Sequence, residues 1–188
     1  MSRSGLLLED WRCLELKIYC DTRQQKGKHE NIDRWFERHG VEYEYRKLDF
    51  GDYMTDGSNI SIDTKRNVQE VAGNCGKDHA RFAREMERAR EAGYRLVILV
   101  ETPKYKQVSD IVGWTNRVCA RCQKKRMGYC NPKQSIGCSA GHRKPMTGAT
   151  LARIMRTMES NHGSKFEFCH PAHTARFICD LLGVPYDG

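Results

Sequence analysis

The 188-residue sequence has no long apolar run. Nothing in it approaches the roughly 18 consecutive apolar residues of a membrane span, so a transmembrane protein is not expected. Its one early apolar run, Leu6, Leu7 and Leu8, is too short for the core of a secretion signal, and Glu9 and Asp10 follow at once. The expected location is therefore the cytoplasm, of a bacterial or phage-infected cell, with no membrane partner. Internal repeats and low-complexity tracts are also missing, which excludes repeat architectures and a disordered chain. Acidic residues are in short supply: 24 against 32 lysines and arginines, a formal charge of +8.

What is present is an ordinary globular mixture with 39% hydrophobic residues, long enough to bury a core without disulfides. The basic excess favours a polyanion partner, nucleic acid first, over a protein that is merely basic. The nine cysteines, in a chain with no secretion signal, read as thiols or metal ligands and not as a disulfide framework. Four of them, Cys119, Cys122, Cys130 and Cys138, fall in one short stretch.

Periodicity predicts an alternating strand over residues 14–21 and a helix over 31–39 that places Ile32, Trp35 and Phe36 on one face. A second alternating strand covers 41–48. The Asp56-Gly57 pair signals a hairpin into a strand over 59–65. Helices follow over 68–75 and 78–92, the latter with Phe82, Ala83, Met86 and Ala89 as its apolar stripe. The unbroken run Leu96 to Val100 suits a central strand buried on both faces. After residue 147 a helix over 149–160, a strand over 165–169 and a helix from Pro171 to Gly183 complete the pattern. The fold class is α/β, a mixed central sheet flanked by helices. Residues 14–101 form the core, 102–147 an insertion without periodicity, and 148–188 the completing helix-strand-helix.

Three carboxylates and a lysine stand on these elements. Asp21 closes the first strand and Asp52 follows Gly51. Asp63 and Lys65, two apart in a strand, share a face, while Ile60, Ile62 and Thr64 take the other. Converging carboxylates make a site for magnesium or manganese, and a lysine beside them orients water or stabilises charge on a phosphate. Phosphodiester hydrolysis needs that combination. Each piece alone has a plain structural role: a Gly-Asp turn, a solvated strand edge, a loop cap. Arg81 and Glu85, one turn apart, could face the same groove, but read first as an intrahelical ion pair.

The segments Asp21-Thr22-Arg23, Gly51-Asp52-Tyr53 and Ile62-Asp63-Thr64-Lys65 resemble the motifs of the XPF-type (ERCC4-domain) endonuclease family of the PD-(D/E)xK superfamily, including its phage relatives. The resemblance implies a restriction-endonuclease-like core in which Asp52 and Asp63 are the principal metal ligands. Asp21 would be a further acid of the site, Lys65 the catalytic lysine and Arg23 a phosphate contact. The carbonyl of Thr64 would complete the metal shell. It also implies branched or flap-like DNA as substrate and a homodimer as the assembly. The sequence departs from the family pattern at Gln24, where Glu is usual, at Asp63-Thr64, in place of Glu-Arg, and at Gln69, in place of Asp. It has no tandem helix-hairpin-helix module after residue 147.

The Cys119-x2-Cys122 pair with Cys130 and Cys138 has the composition of a structural zinc site, with His142 as a substitute for one cysteine. The residues between are polar and basic. A metal crosslink worth roughly 10 kcal/mol or more would order them where burial does not. Arg121, Lys124, Lys125 and Arg126, with Arg117, Lys133, Arg143 and Lys144, then make a DNA-backbone clamp.

The expected function is a magnesium-dependent DNA endonuclease. The alternatives are a nucleic-acid-binding protein that keeps the fold without catalysis, and an adaptor whose zinc loop contacts a replication or packaging partner.

Overall fold

The computed structural model describes residues 16–23, 29–130, 138 and 144–188. Six strands, β1 (Ile18–Asp21), β2 (Tyr43–Arg46), β3 (Tyr53–Thr55), β4 (Ile60–Lys65), β5 (Arg95–Glu101) and β6 (Lys165–Cys169), form one sheet in the order β2-β1-β3-β4-β5-β6. The sheet is mixed: β3 runs antiparallel to both neighbours, while β1 and β2 pair in parallel, as do β4, β5 and β6.

The uninterrupted apolar run in β5 explains the layers. Its alternate side chains feed two cores, which only a strand covered on both faces can do. Leu96, Ile98 and Val100 join a core with α2 (Val68–Cys75), α3 (His79–Glu91) and α6 (Gly148–His162). Val97 and Leu99 join the opposite core with α1 (Glu30–Arg38) and α7 (Thr174–Leu182). The fold is thus a helix–sheet–helix sandwich of the α/β class.

Expected elements are realised with shifted ends. The first strand begins at Ile18, and residues 14 and 15 lie outside the described residues. The second shrinks to four residues because Val41 and Leu48, at its expected ends, enter opposite cores. Pro171 does not open the last long helix. It starts a 3₁₀ turn, Pro171–His173, whose first N–H groups are met by the His170 ring accepting from Ala172 N–H at 3.2 Å; α7 begins at Thr174.

The stretch after β5 is not wholly outside the apolar core. A 3₁₀ turn, Val108–Gly113, buries Val108 and Ile111 against α6. Gly148, at the start of α6, allows this. A Cβ there would collide with the carbonyls of Ile111, Val112 and Trp114. Beyond that turn, α4 (Arg117–Arg121) and α5 (Gln123–Arg126) bury no residue at all.

Candidate active site

The register of β4 against β5 sets where the acids go. Asp63 stands opposite Ile98 and Lys65 opposite Val100, both of which face α2 and α3. Asp63 and Lys65 therefore emerge under α3, where the apolar layer gives way to an open cavity of about 460 Å³. Asp21, Asp52, Asp63 and Lys65 all line it, as does Arg23.

Gly51 brings Asp52 to this place. Its φ is +68°, and a Cβ would collide with Ser61 Oγ and press on the Ile62 carbonyl, so the close backbone pass requires glycine. The pass lets Asp52 N–H donate to the Ile62 carbonyl at 2.6 Å, while the Asp52 carbonyl accepts from Asp21 N–H at 2.9 Å. Asp52 is thereby stitched between β1 and β4. Its Oδ2 accepts from the Thr64 N–H at 2.8 Å and the Thr64 hydroxyl at 2.5 Å. This corrects the expected separation of faces on β4: Thr64 is not confined to the apolar side but orients an acid of the site.

Asp21 is 5% exposed and already engaged. Arg23 Nε donates to its Oδ2 at 2.8 Å, and Leu48 N–H approaches its Oδ1 at 3.3 Å. The Arg23 guanidinium also donates to the Leu48 carbonyl. Arg23 thus clamps Asp21 and the strand exit together.

Asp63 is 5% exposed, and Lys65 Nζ lies 2.7 Å from both of its oxygens. The ammonium directs a hydrogen bond to Oδ1; Oδ2 is buried and receives only the Coulomb contact. Burial pushes the Asp63 carboxyl up to about 7; Lys65 opposes that rise, and Asp52 and Glu85 add to it. Burial also works to lower the Lys65 pKa, but the adjoining Asp63 outweighs it, and Lys65 stays a cation above its ordinary range. The Phe82 ring lies 5.7 Å below the ammonium.

Helix α3 closes the cavity with Arg81, Arg84, Glu85 and Arg88. The expected Arg81–Glu85 ion pair does not form among the described residues. Glu85 Oε1 instead faces the Gly51 N–H at 3.4 Å, which brings it to the site beside Asp21, Asp49, Asp52 and Asp63. Asn74, at the end of α2, adds a buried Oδ1 with no hydrogen-bond partner. The groove-facing alternative for Arg81 and Glu85 is the one the structure realises, whereas Asn74, Arg84 and Arg88 were not singled out from the sequence as site residues. The signal for α3 was available: 81, 85 and 88 flank the buried positions Phe82 and Ala89.

The oxygen donors of Asp52, Asp63 and Glu85, with the under-satisfied Asp63 Oδ2, have the chemistry a hard divalent cation needs. Among the described residues, however, no three acids, histidines or cysteines are drawn close enough to enclose one. The Lys65 ammonium lies against Asp63 instead.

The cysteine cluster lies apart from this cavity. Cys119 and Cys122 are half-buried and Cys130 is exposed. Burial raises the Cys119 thiol; Lys125 opposes this, while Cys130, Cys138 and Cys122 act on it as near neighbours. Arg121, Lys124, Lys125 and Arg126 lie on α4 and α5, outside the cavity. His142, Lys133, Arg143 and Gln24 lie outside the described residues. The start of α4 is moored to α2: Arg117 N–H donates to the Gln69 side chain at 2.8 Å. No described helix is long and apolar enough to cross a membrane.

The ERCC4 domain family model matches residues 20–181. No curated protein matches the chain. Among solved structures, XPF from Aeropyrum pernix superposes with a TM-score of 0.54 at 18% identity, over 89% of this chain and 60% of that one. XPF from Aeropyrum pernix in complex with DNA gives 0.54 at 16% identity, over 89% and 63%. The chain therefore spans about three fifths of the length of these structures, and the likeness is one of fold.

Proposed function

The chain belongs to the ERCC4-domain family, and from that premise we propose that its acid cavity hydrolyses phosphodiester bonds in DNA. The observation that carries this reading is the buried Asp63–Lys65 pair, opened to a cavity that Asp52, Asp21 and Glu85 share. Burying a carboxylate among other acids is costly, and a purely structural role would not place such a cluster at an open cavity.

In the proposed reaction water attacks the phosphorus, a new P–O bond forms and the bond to the leaving oxygen breaks. Lys65 stands where negative charge builds on the phosphoryl oxygens and stabilises it as a fixed cation. Thr64 holds Asp52 with two hydrogen bonds, so that this acid meets the reacting group without reorganising. Arg23 holds Asp21 in place through its hydrogen bond to Oδ2. Asp52 and Asp63 would hold a divalent cation, magnesium or manganese, with Glu85 at its side. When bound, such an ion lowers the pKa of its water and neutralises charge on the pentavalent phosphorus.

The substrate is proposed to be branched or flap DNA and the assembly a homodimer, from the family and from the XPF–DNA complex it resembles in fold. The basic insertion is proposed to clamp the duplex backbone through Arg121, Lys124, Lys125 and Arg126. Structural zinc on Cys119, Cys122, Cys130 and Cys138 would hold that insertion. The spacing of the four cysteines in the sequence and the lack of any buried residue in α4 and α5 support this.

The test is cleavage of labelled single-stranded, duplex, flap and four-way DNA with magnesium, manganese or EDTA. Cutting that needs metal, and is strongest on one branched form, is the expected result. Tight binding with no cutting on any substrate would instead favour the non-catalytic DNA-binding reading.

A further inference from the structure

The cavity carries more positive charge than phosphodiester cleavage needs. Arg81, Arg84 and Arg88 all reach it from α3, and all three are exposed. Other arginines nearby are neutralised within the protein. Arg90, on the same helix, pairs with Glu87, and Arg23 pairs with Asp21. Among the described residues none of Arg81, Arg84 and Arg88 forms an ion pair, although five acids line the same cavity. A row of cations left unpaired beside acids is set for a polyanion that arrives from outside.

The spacing suits a nucleic-acid backbone. At 1.5 Å per residue the row rises about 10.5 Å along the helix from 81 to 88. At about 3.4 Å of axial rise per nucleotide on one strand of a duplex, that row covers about three phosphate steps. A second, independent observation comes from the neighbouring helix. Asn74 is 9% exposed, lines the cavity, and has an Oδ1 with no partner. A buried acceptor of this kind calls for a donor from a ligand. A DNA strand supplies both halves of the match: phosphate oxygens for the arginines and base N–H groups for the amide.

We propose that α3 is a phosphate rail: Arg81, Arg84 and Arg88 grip one DNA strand and run it along the helix past Asp52 and Asp63. The direction of α3 then fixes which strand, and which bond in it, reaches the acids. This deepens the nuclease reading and rests on it for the location of the cut, but strand binding is measurable without cleavage.

The experiment is fluorescence anisotropy of a labelled single-stranded oligonucleotide in EDTA, over a series of salt concentrations. Wild type is compared with the Arg84→Gln/Arg88→Gln and Arg84→Lys/Arg88→Lys pairs, and with Arg153→Gln on α6 as an exposed control. For the glutamine pair the Kd is expected to rise about tenfold, and the slope of log K against log salt to shrink by about 1.4, two phosphate contacts at about 0.7 each on a single strand. The lysine pair restores most of the slope and the α6 control leaves it unchanged. An unchanged slope in the glutamine pair, an equal loss in the α6 control, or no binding by wild type overturns the rail. Cleavage of DNA by a protein with an unchanged slope would sink the rail and leave the nuclease standing. A smaller slope in a protein that never cuts would do the reverse.

Discussion

Asp63 is a buried carboxyl group of the acid cavity, paired with Lys65. Its ordinary pKa of 3.8 rises to about 7 in the folded chain, with burial as the main cause. The folded state therefore binds a proton more tightly than the unfolded chain. The stability linked to this proton is fully present below about pH 4 and is lost as pH climbs through about 7. Metal-free protein in EDTA should melt at a lower temperature at about pH 8 than at about pH 5, by an amount that shrinks in Asp63→Asn. A divalent cation, which competes with the proton, should raise the melting temperature more at the higher pH than at the lower. Thermal scans of both proteins with and without magnesium check this. A wild-type melting point that rises with pH in EDTA, in step with the Asn variant, would show that Asp63 is not the proton-binding group.

At the level of elements, two kinds of order meet in the chain. The sheet and the helices α1, α2, α3, α6 and α7 hold by burial, and they were legible because burial leaves a period. The alternation in β1, the apolar run of β5 and the stripe Phe82, Met86 and Ala89 each name an element and its inner face. Asp21, Asp52, Asp63 and Lys65 were legible for a related reason: each sits at a strand end or face that the pattern located. What periodicity could not reveal depends on contacts between distant segments. The turn of Glu85 toward Gly51, the hydroxyl of Thr64 on Asp52 and the mooring of α4 by Gln69 all join residues 12 to 48 apart in sequence. The segment of α4 and α5 lacks period because neither helix buries a side chain, and that is where a metal crosslink is proposed to act. Purified protein is predicted to carry about one zinc per chain. Cys119→Ser/Cys122→Ser is predicted to lose it and to become sensitive to protease near residues 117–130, with the melting of the sheet little changed. Elemental analysis with limited proteolysis checks both, and a metal-free wild type with an equally resistant insertion would remove zinc from the account.

The whole molecule combines a net charge of +8 with one deep concentration of acids, two features that oppose each other unless they act on different parts of one ligand. A DNA strand, the proposed substrate, would reconcile them: the positive field would draw in the backbone, and the acids would act on a single phosphodiester. The position of the cavity, at the ends of β1 and β4 and beside α3, lets the two meet. Binding and cutting should therefore separate by residue, with arginines governing affinity and the acids governing rate. The most direct test is to measure cleavage and affinity on one flap substrate for wild type and Asp63→Asn. In Asp63→Asn the cleavage rate is expected to fall by about a thousandfold or more, with the Kd changed by no more than about threefold. Cleavage by Asp63→Asn at near the wild-type rate would contradict the proposed site, because the bond would then be cut without the acid at the centre of the site.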